Sequence, residues 1–266
     1  MELKIVTINS WKCDGDYHRR LPVLSGQLKR VNPDIIACQE CFFAEEVGAD
    51  TAARLAAALE MEYSFLPCRR KKREFDGHWV DSYSGMAVLS RFPIVSGEAL
   101  ELSSVPEDPG RKAQRVEIEF LAGRILRITN IHLTHLRGQT ALRKKQVAEV
   151  CKWAEAVALP GTGAVACNLV CGDFNAVLAS AELATLKELT KAADGYSLGG
   201  GPEPRTSLLE SFKRGRTLCV DYIFCLPVAN RYPFCKDAAV VLNEPDALTG
   251  LYPSDHFGIS VVLVTD

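Results

Sequence analysis

The chain predicts an α/β domain built of two packed β-sheets with helices on the outside. Three features of the 266-residue sequence point there. Runs rich in β-branched and aromatic residues outnumber stretches of helical periodicity. They come in neighbouring groups separated by short turns, as paired strands do. Several of them stop in polar residues, which is how a sheet delivers side chains to a site at its edge.

The first strand is Leu3 to Asn9, which ends in Asn9-Ser10. From Arg19 to Val31, Leu21, Leu24, Leu28 and Val31 recur at steps of three and four, the stripe of an amphipathic helix, and Asn32-Pro33-Asp34 stops it. Ile35 to Gln39 is a second strand and delivers Glu40. Asp50 is placed to cap an alanine-rich helix over Thr51 to Leu59, ahead of a short strand around Tyr63 to Leu66. Between Cys68 and Ser84 the pattern breaks into Arg69-Arg70-Lys71-Lys72-Arg73, then Phe75, His78, Trp79 and Tyr83. This reads as a loop, either a solvated one or one that meets an anionic, partly apolar ligand. Strands resume at Met86 to Leu89 and Ile94-Val95, then around Val116 to Phe120 and Ile125 to Ile131, the last delivering His132. A long helix follows from Gly138 to about Ala158. The apolar run Ala164 to Cys171 leads into Gly172-Asp173-Phe174-Asn175, and Ala181 to Leu189 is another helix. Gly199-Gly200-Gly201-Pro202 marks a loop. Leu218 to Leu226 carries Asp221, Ala238 to Leu242 is a strand, and Phe257 to Val264 is the last.

Composition agrees with one ordinary globular domain spanning 1–266, since 47% of residues are hydrophobic and 24% charged. Linkers and internal repeats are absent from the pattern. No apolar run approaches the length of a membrane span, and Met1-Glu2-Leu3-Lys4 does not open a signal peptide, so the reading is of a cytoplasmic monomer. A formal charge of −2 excludes binding of nucleic acid through bulk positive charge but leaves room for a local basic groove. Ten irregularly spaced cysteines, mostly inside apolar runs, read as small buried hydrophobes in a reducing compartment. Cys38-Gln39-Glu40-Cys41 is formally a C-x-x-C, but no second cysteine or histidine pair completes a zinc site.

The chemistry lies in the polar groups at the strand ends: Asn9, Glu40, His132, Asp173 with Asn175, and Ser254-Asp255-His256, with Asp221 inside a strand. Any one alone is an ordinary cap or turn residue. Asp173 and Asn175, two apart after an extended segment, can face one bound group while Phe174 points into the core. A carboxylate that aligns a water beside an amide that donates to an oxyanion suits hydrolysis. Glu, Asp and Asn oxygens are hard ligands suited to Mg²⁺, which takes one or two carboxylates plus waters and phosphate.

This constellation resembles the endonuclease/exonuclease/phosphatase superfamily, the deoxyribonuclease I-like fold. The motifs that carry it are Thr7-Ile8-Asn9, Gln39-Glu40, Asn130-Ile131-His132-Leu133, Gly172-Asp173-Phe174-Asn175, Val220-Asp221-Tyr222-Ile223 and Ser254-Asp255-His256-Phe257-Gly258. The resemblance implies a four-layer α/β sandwich, with two mainly antiparallel sheets flanked by helices, and hydrolysis of a phosphate ester with Mg²⁺, or Mn²⁺ as a substitute. It implies Glu40 as the principal metal ligand, with Asn9 and Asp255 close to the ion. Asp173 would align or deprotonate the attacking water, and Asn175 would hold a non-bridging phosphate oxygen. Asp221 would orient His256 towards the phosphoryl group, with His132 across the phosphate; which histidine acts as acid or base is left open. His135 is secondary, and Arg137-Gly138, Arg143 and Gln146 are similar to members in which this helix starts beside the substrate cleft.

Departures narrow the branch. Ala176-Val177 and Phe257-Gly258 differ from the inositol polyphosphate 5-phosphatases, and His132 with Phe257-Gly258 differs from the apurinic endonucleases. The His132 and Asp255-His256-Phe257-Gly258 pattern looks more like the neutral sphingomyelinases, the deoxyribonucleases and the tyrosyl-DNA phosphodiesterases. The expectation is a phosphodiesterase acting on a nucleic-acid or nucleotide-like substrate. The alternatives are a phospholipid headgroup hydrolase, a small-molecule phosphomonoesterase and a non-catalytic binding module. None of the six motif positions is lost, which disfavours the last.

Overall fold

The computed structural model describes residues 1–154 and 163–265. One sheet has seven strands in the order β12 (Phe234–Val241), β13 (Gly258–Val264), β1 (Glu2–Asn9), β2 (Ile35–Ala44), β5 (His78–Ser90) and β4 (Glu62–Phe75), with β3 (Ala49–Asp50) paired to β2. The other has six, in the order β10 (Ala193–Asp194), β11 (Asp221–Leu226), β9 (Ala164–Asp173), β8 (Arg124–His132), β7 (Lys112–Leu121) and β6 (Ile94–Glu101). Only β1 with β2 and β8 with β9 run parallel among the described pairs. The architecture is the α/β sandwich expected.

Alternation along the strands builds the layers. On β1, Leu3 and Ile5 join the core between the sheets, while Val6 and Ile8 face a second cluster under α1 (Tyr17–Val31) and α2 (Thr51–Leu59). On the far side, α3 (Thr140–Ala154) and α4 (Ala181–Thr190) pack against each other and give Val147, Val150, Leu183 and Leu186 to the larger cluster. The short helices α5 (Gly195–Leu198) and α6 (Leu209–Lys213) lie between β10 and β11 in sequence. Among the described residues no helix is long and apolar enough to cross a membrane.

Local chemistry sets the helix ends. Asp16 caps α1 by accepting from Arg19 N, so the helix starts at Tyr17, two residues ahead of the expected Arg19, and Asn32 ends it with φ 56°. Asp50 caps α2 through Ala53 N as expected. The expected continuation of α3 to Ala158 falls outside the described residues.

The segment expected to be a loop from Arg69 to Tyr83 is instead the long hairpin β4–β5, turned at Asp76-Gly77 and paired as far as Phe75 with His78. One face of the ribbon is packed, with Phe75 and Val80 in the cluster under α1 and α2 and Phe75 against Tyr17 and Phe42, while Trp79 and the basic residues face solvent or a cleft. Cross-strand hydrogen bonding holds it, together with Arg73 Nη1 to Ser82 Oγ at 2.8 Å and Ser82 Oγ to Lys71 O at 2.7 Å.

Candidate active site

Three adjacent strands of the six-stranded sheet end in one register row. His132, last in β8, is paired with Asp173, last in β9, and Asp173 with Asp221, first in β11. Paired residues on neighbouring strands share a face. His132 Nε2 consequently lies 3.5 Å from Asp173 Oδ2. The row closes up because residue 172 is glycine: its φ is 134°, and a Cβ there would stand 2.0 Å from Ile131 O on the neighbouring strand. Beyond it, Asp173 Oδ1 accepts from Asn175 N at 2.9 Å, and Asn175, with φ 48°, donates through Nδ2 to Leu133 O at 3.0 Å.

The seven-stranded sheet supplies the opposing half. Asn9, last in β1, donates through Nδ2 to Asp173 Oδ2 at 3.1 Å, across the seam between the sheets. Deeper in the seam, Gln39 Nε2 donates to Asn130 Oδ1 at 2.8 Å and to Thr7 Oγ1 at 3.1 Å. Glu40 leaves the sheet through a bulge: the register of β2 against β5 shifts between Cys38 and Cys41, and Glu40 has φ 54°. The C-x-x-C therefore brackets the bulge, with both thiols buried.

The loop before β13 joins the halves. Ser254 Oγ donates to Asn9 O at 2.6 Å and accepts from His256 N at 3.1 Å. His256 Nδ1 is 2.8 Å from Asp221 Oδ2, and His256 Nε2 is 3.9 Å from Asp173 Oδ2. Ser207 Oγ accepts from the Val220 and Asp221 amides, fixing the backbone that presents Asp221.

Burial and mutual charge push these groups apart in acidity. Burial, then the Asp221 carboxylate, raises Asp173 to about 7 against the opposing pull of His256, the Asn175 amide and Asn9. Burial opposes the charge on His256, but Asp221, Asp173 and Asp255 outweigh it and lift the imidazole to about 10. His132 goes the other way: burial, with Arg111, Lys12 and His256 nearby, holds it well below the ordinary histidine value. One imidazole is cationic and the other neutral around one carboxyl group.

Asp173, Asp221 and His256 bring one ligand atom each within 4.8 Å of one another, yet the His256–Asp221 bond already uses part of that set. The donors better matched to a hard divalent ion are the carboxylates of Glu40 and Asp255 and the amide oxygen of Asn9. Burial raises Asp255 above the usual carboxylate range, and its side chain is reached by one long bond among the described residues, Ser254 Oγ at 3.4 Å. A half-buried carboxylate short of donors fits a cation.

A cleft of about 520 Å³ opens beside Glu40 and His132. Its outer wall is the β4–β5 hairpin, which contributes Arg69, Lys71, Lys72, Arg73 and the 70% exposed Trp79. Arg69 and Arg111 both hold buried Asp108, at 3.3 and 2.8 Å, and Arg111 Nη1 also reaches His132 O at 3.2 Å. Lys71 and Lys72 make no ion pair among the described residues.

Every residue expected in the site is at this edge of the sandwich. Others escaped the sequence reading: Lys12, whose Nζ is 2.5 Å from Glu40 Oε2; Arg20, buried beneath the same loop; and Arg111 with Asp108. Burial opposes the Lys12 charge, but Glu40, Asp14 and Asp255 more than compensate and raise it. No motif marks these residues, because loop geometry rather than a regular spacing brings each to its partners. Arg143 and Gln146 have structural partners. Arg143 is bonded to Glu182 at 2.9 Å and to Leu136 O at 3.0 Å, and Gln146 spans Thr134 N and Ser103 O.

The family model of the endonuclease/exonuclease/phosphatase family matches residues 7–256. The chain belongs to this family. Its members are phosphoric ester hydrolases, and the protein is an enzyme of that class. No curated protein matches the sequence. Among solved structures, a family protein from Leptotrichia buccalis aligns with TM-score 0.74 at 17% identity, covering 99% of this chain and all of that one. A humanized D. rerio TDP2 aligns with TM-score 0.74 at 20% identity over 99% of both chains. A mannosyl-6-phosphatase from Bacteroides thetaiotaomicron aligns with TM-score 0.72 at 19% identity, covering 99% of this chain and 100% of that one. At such identities the likeness carries the fold alone.

Proposed function

We propose that the protein is a divalent-cation-dependent phosphodiesterase that cleaves a nucleic-acid or nucleotide-like substrate by in-line attack of water. The observation that carries this reading is the cationic hairpin wall beside the reacting row. A site for one small monoester needs positive charge around one phosphate. Here Lys71 and Lys72, without ion-pair partners among the described residues, continue outward along β4, with Trp79 exposed across the hairpin to stack on a base or other flat group. A protein of the same fold, D. rerio TDP2, has been solved in complex with a single-strand DNA product, which supports a nucleic-acid reading.

In this reading Asp173, near 7, takes the proton of the attacking water and aligns it. His256, cationic against Asp221, donates from Nε2 to a non-bridging phosphoryl oxygen. Asn175 spends one amide N–H on Leu133 O and offers the other to the same phosphate. His132, neutral across Asp173, holds a hydrogen bond near the leaving oxygen. Glu40 and Asp255, with Asn9, would hold Mg²⁺ or Mn²⁺, which supplies positive charge to the phosphoryl and leaving oxygens. Asn9 also keeps Asp173 in place through its 3.1 Å bond.

The test is Mg²⁺-dependent hydrolysis of a panel: a single-stranded oligonucleotide, one with a 5′-phosphotyrosine end, a choline phospholipid and mannose 6-phosphate. Asp173→Asn runs beside each. Salt-sensitive cleavage of an oligonucleotide, lost in Asp173→Asn and weakened in KM by Lys71→Glu with Lys72→Glu, supports the reading. Turnover of the phosphorylated sugar or the lipid alone replaces it with the corresponding alternative.

A further inference from the structure

The loop after β1 carries an arrangement that phosphate hydrolysis does not itself require. Trp11 and Lys12 are consecutive non-glycine residues with φ of 58° and 42°, a backbone that L side chains disfavour. The loop is kept there by Arg20, 1% exposed, whose guanidinium donates to the carbonyl oxygens of Ser10, Trp11, Lys12, Asp14 and Pro253 at 2.5–3.2 Å. Lys12 N adds a bond to Glu40 O at 3.0 Å. The outcome is the position of one ammonium group: Lys12 Nζ sits 2.5 Å from Glu40 Oε2 and 3.4 Å from Asp14 Oδ2. A strained backbone maintained by a buried arginine is more than a chance surface ion pair needs.

We infer that Lys12 is the site's resident cation: it pairs with Glu40 in the metal-free enzyme and must be displaced for a divalent ion to bind, so it sets how much metal the enzyme requires. The inference rests on Glu40 being a metal ligand, as proposed above. Glu40 is 16% exposed in its side chain, and a carboxylate so enclosed is costly to leave unpaired. Lys12 removes that cost before metal arrives. An ammonium 2.5 Å from one carboxylate oxygen repels a divalent ion approaching the same group, so the energy of displacing it from Glu40 is subtracted from metal affinity. Lys12 is thus a positioning residue acting through Glu40.

The test is Mn²⁺ binding to substrate-free protein, followed by calorimetry and by electron paramagnetic resonance of the free ion. Lys12→Met should bind Mn²⁺ at least about tenfold more tightly than the parent, a difference well within the reach of one charge pair. Lys12→Gln, which keeps a donor to Glu40 without the charge, should move in the same direction, and Lys12→Arg should restore weak binding. Affinity unchanged or weakened in whichever neutral variant folds overturns the inference while leaving the metal site standing. Absence of Mn²⁺ binding that Glu40→Gln removes, in parent and variants alike, overturns both this inference and the assignment of Glu40.

Discussion

Arg20→Met is the substitution that most directly tests how the site is supported. Methionine matches much of the arginine's length but donates nothing, so five hydrogen bonds to main-chain oxygens disappear at once. Four of the five acceptors lie between Ser10 and Asp14, close enough to the surface for part of the loop to turn towards water. Taking about 1 kcal/mol net per bond, the mean for uncharged partners, and allowing for that rehydration, the loss is about 3–5 kcal/mol. For a chain of this size each kcal/mol lowers Tm by about 2–4 °C, so a drop of about 10 °C is expected. Differential scanning calorimetry measures it. Hydrogen exchange at the Trp11 to Asp14 amides should accelerate in the variant while the β13 amides keep their protection. A Tm within about 3 °C of the parent, with those loop amides unchanged, would refute the claim that Arg20 maintains the loop.

Asp173→Asn should lower turnover by about 10²–10⁴-fold, the usual worth of a general base, with an unchanged circular dichroism spectrum; full activity would remove Asp173 from the role. Glu40→Gln should raise the Mg²⁺ concentration giving half-maximal activity by about tenfold or more, and an unaltered metal dependence would take Glu40 out of the metal site. The His256–Asp221 pair predicts a pH effect on stability. Because the folded imidazole is raised to about 10, its contribution is complete below the ordinary histidine value near 6.5 and is lost as pH rises from there through about 10. Urea denaturation of metal-free protein at a series of pH values across this window should show the decline, and Asp221→Asn should flatten it; parallel curves would refute the coupling.

The fold and the reacting groups were legible because both obey local rules. Leu21, Leu24 and Leu28 mark the buried face of α1, and Asp50 caps α2 where the sequence places it. Asn9, His132 and Asp173 stand at strand ends, where an apolar run stops in a polar residue. The hairpin was not legible, since Phe75 and Val80 are the buried apolar residues of its outer part, too few to mark a period of two through the charged run. Lys12, Arg20 and Arg111 were hidden for another reason. A lysine after a strand or an arginine at a helix start is ordinary in sequence. Only the folded chain brings Lys12 to Glu40, Arg20 to Pro253 O, and Arg111 to His132 O.

Asn9 and Glu40 belong to one sheet, His132, Asp173 and Asp221 to the other, and the Asn9–Asp173 and Gln39–Asn130 bonds bridge the gap. The catalytic geometry is therefore a gauge of how the two sheets are stacked. A core truncation such as Ile128→Ala, buried in the middle of the molecule and touching no reacting group, lets one sheet settle against the other. Misplacement of about 1 Å between reacting partners can cost about a hundredfold in rate. Such variants should stay folded while turning over slowly. Substitutions that restore core volume should recover speed along with stability, making activity a sensitive reporter of packing deep in the sandwich.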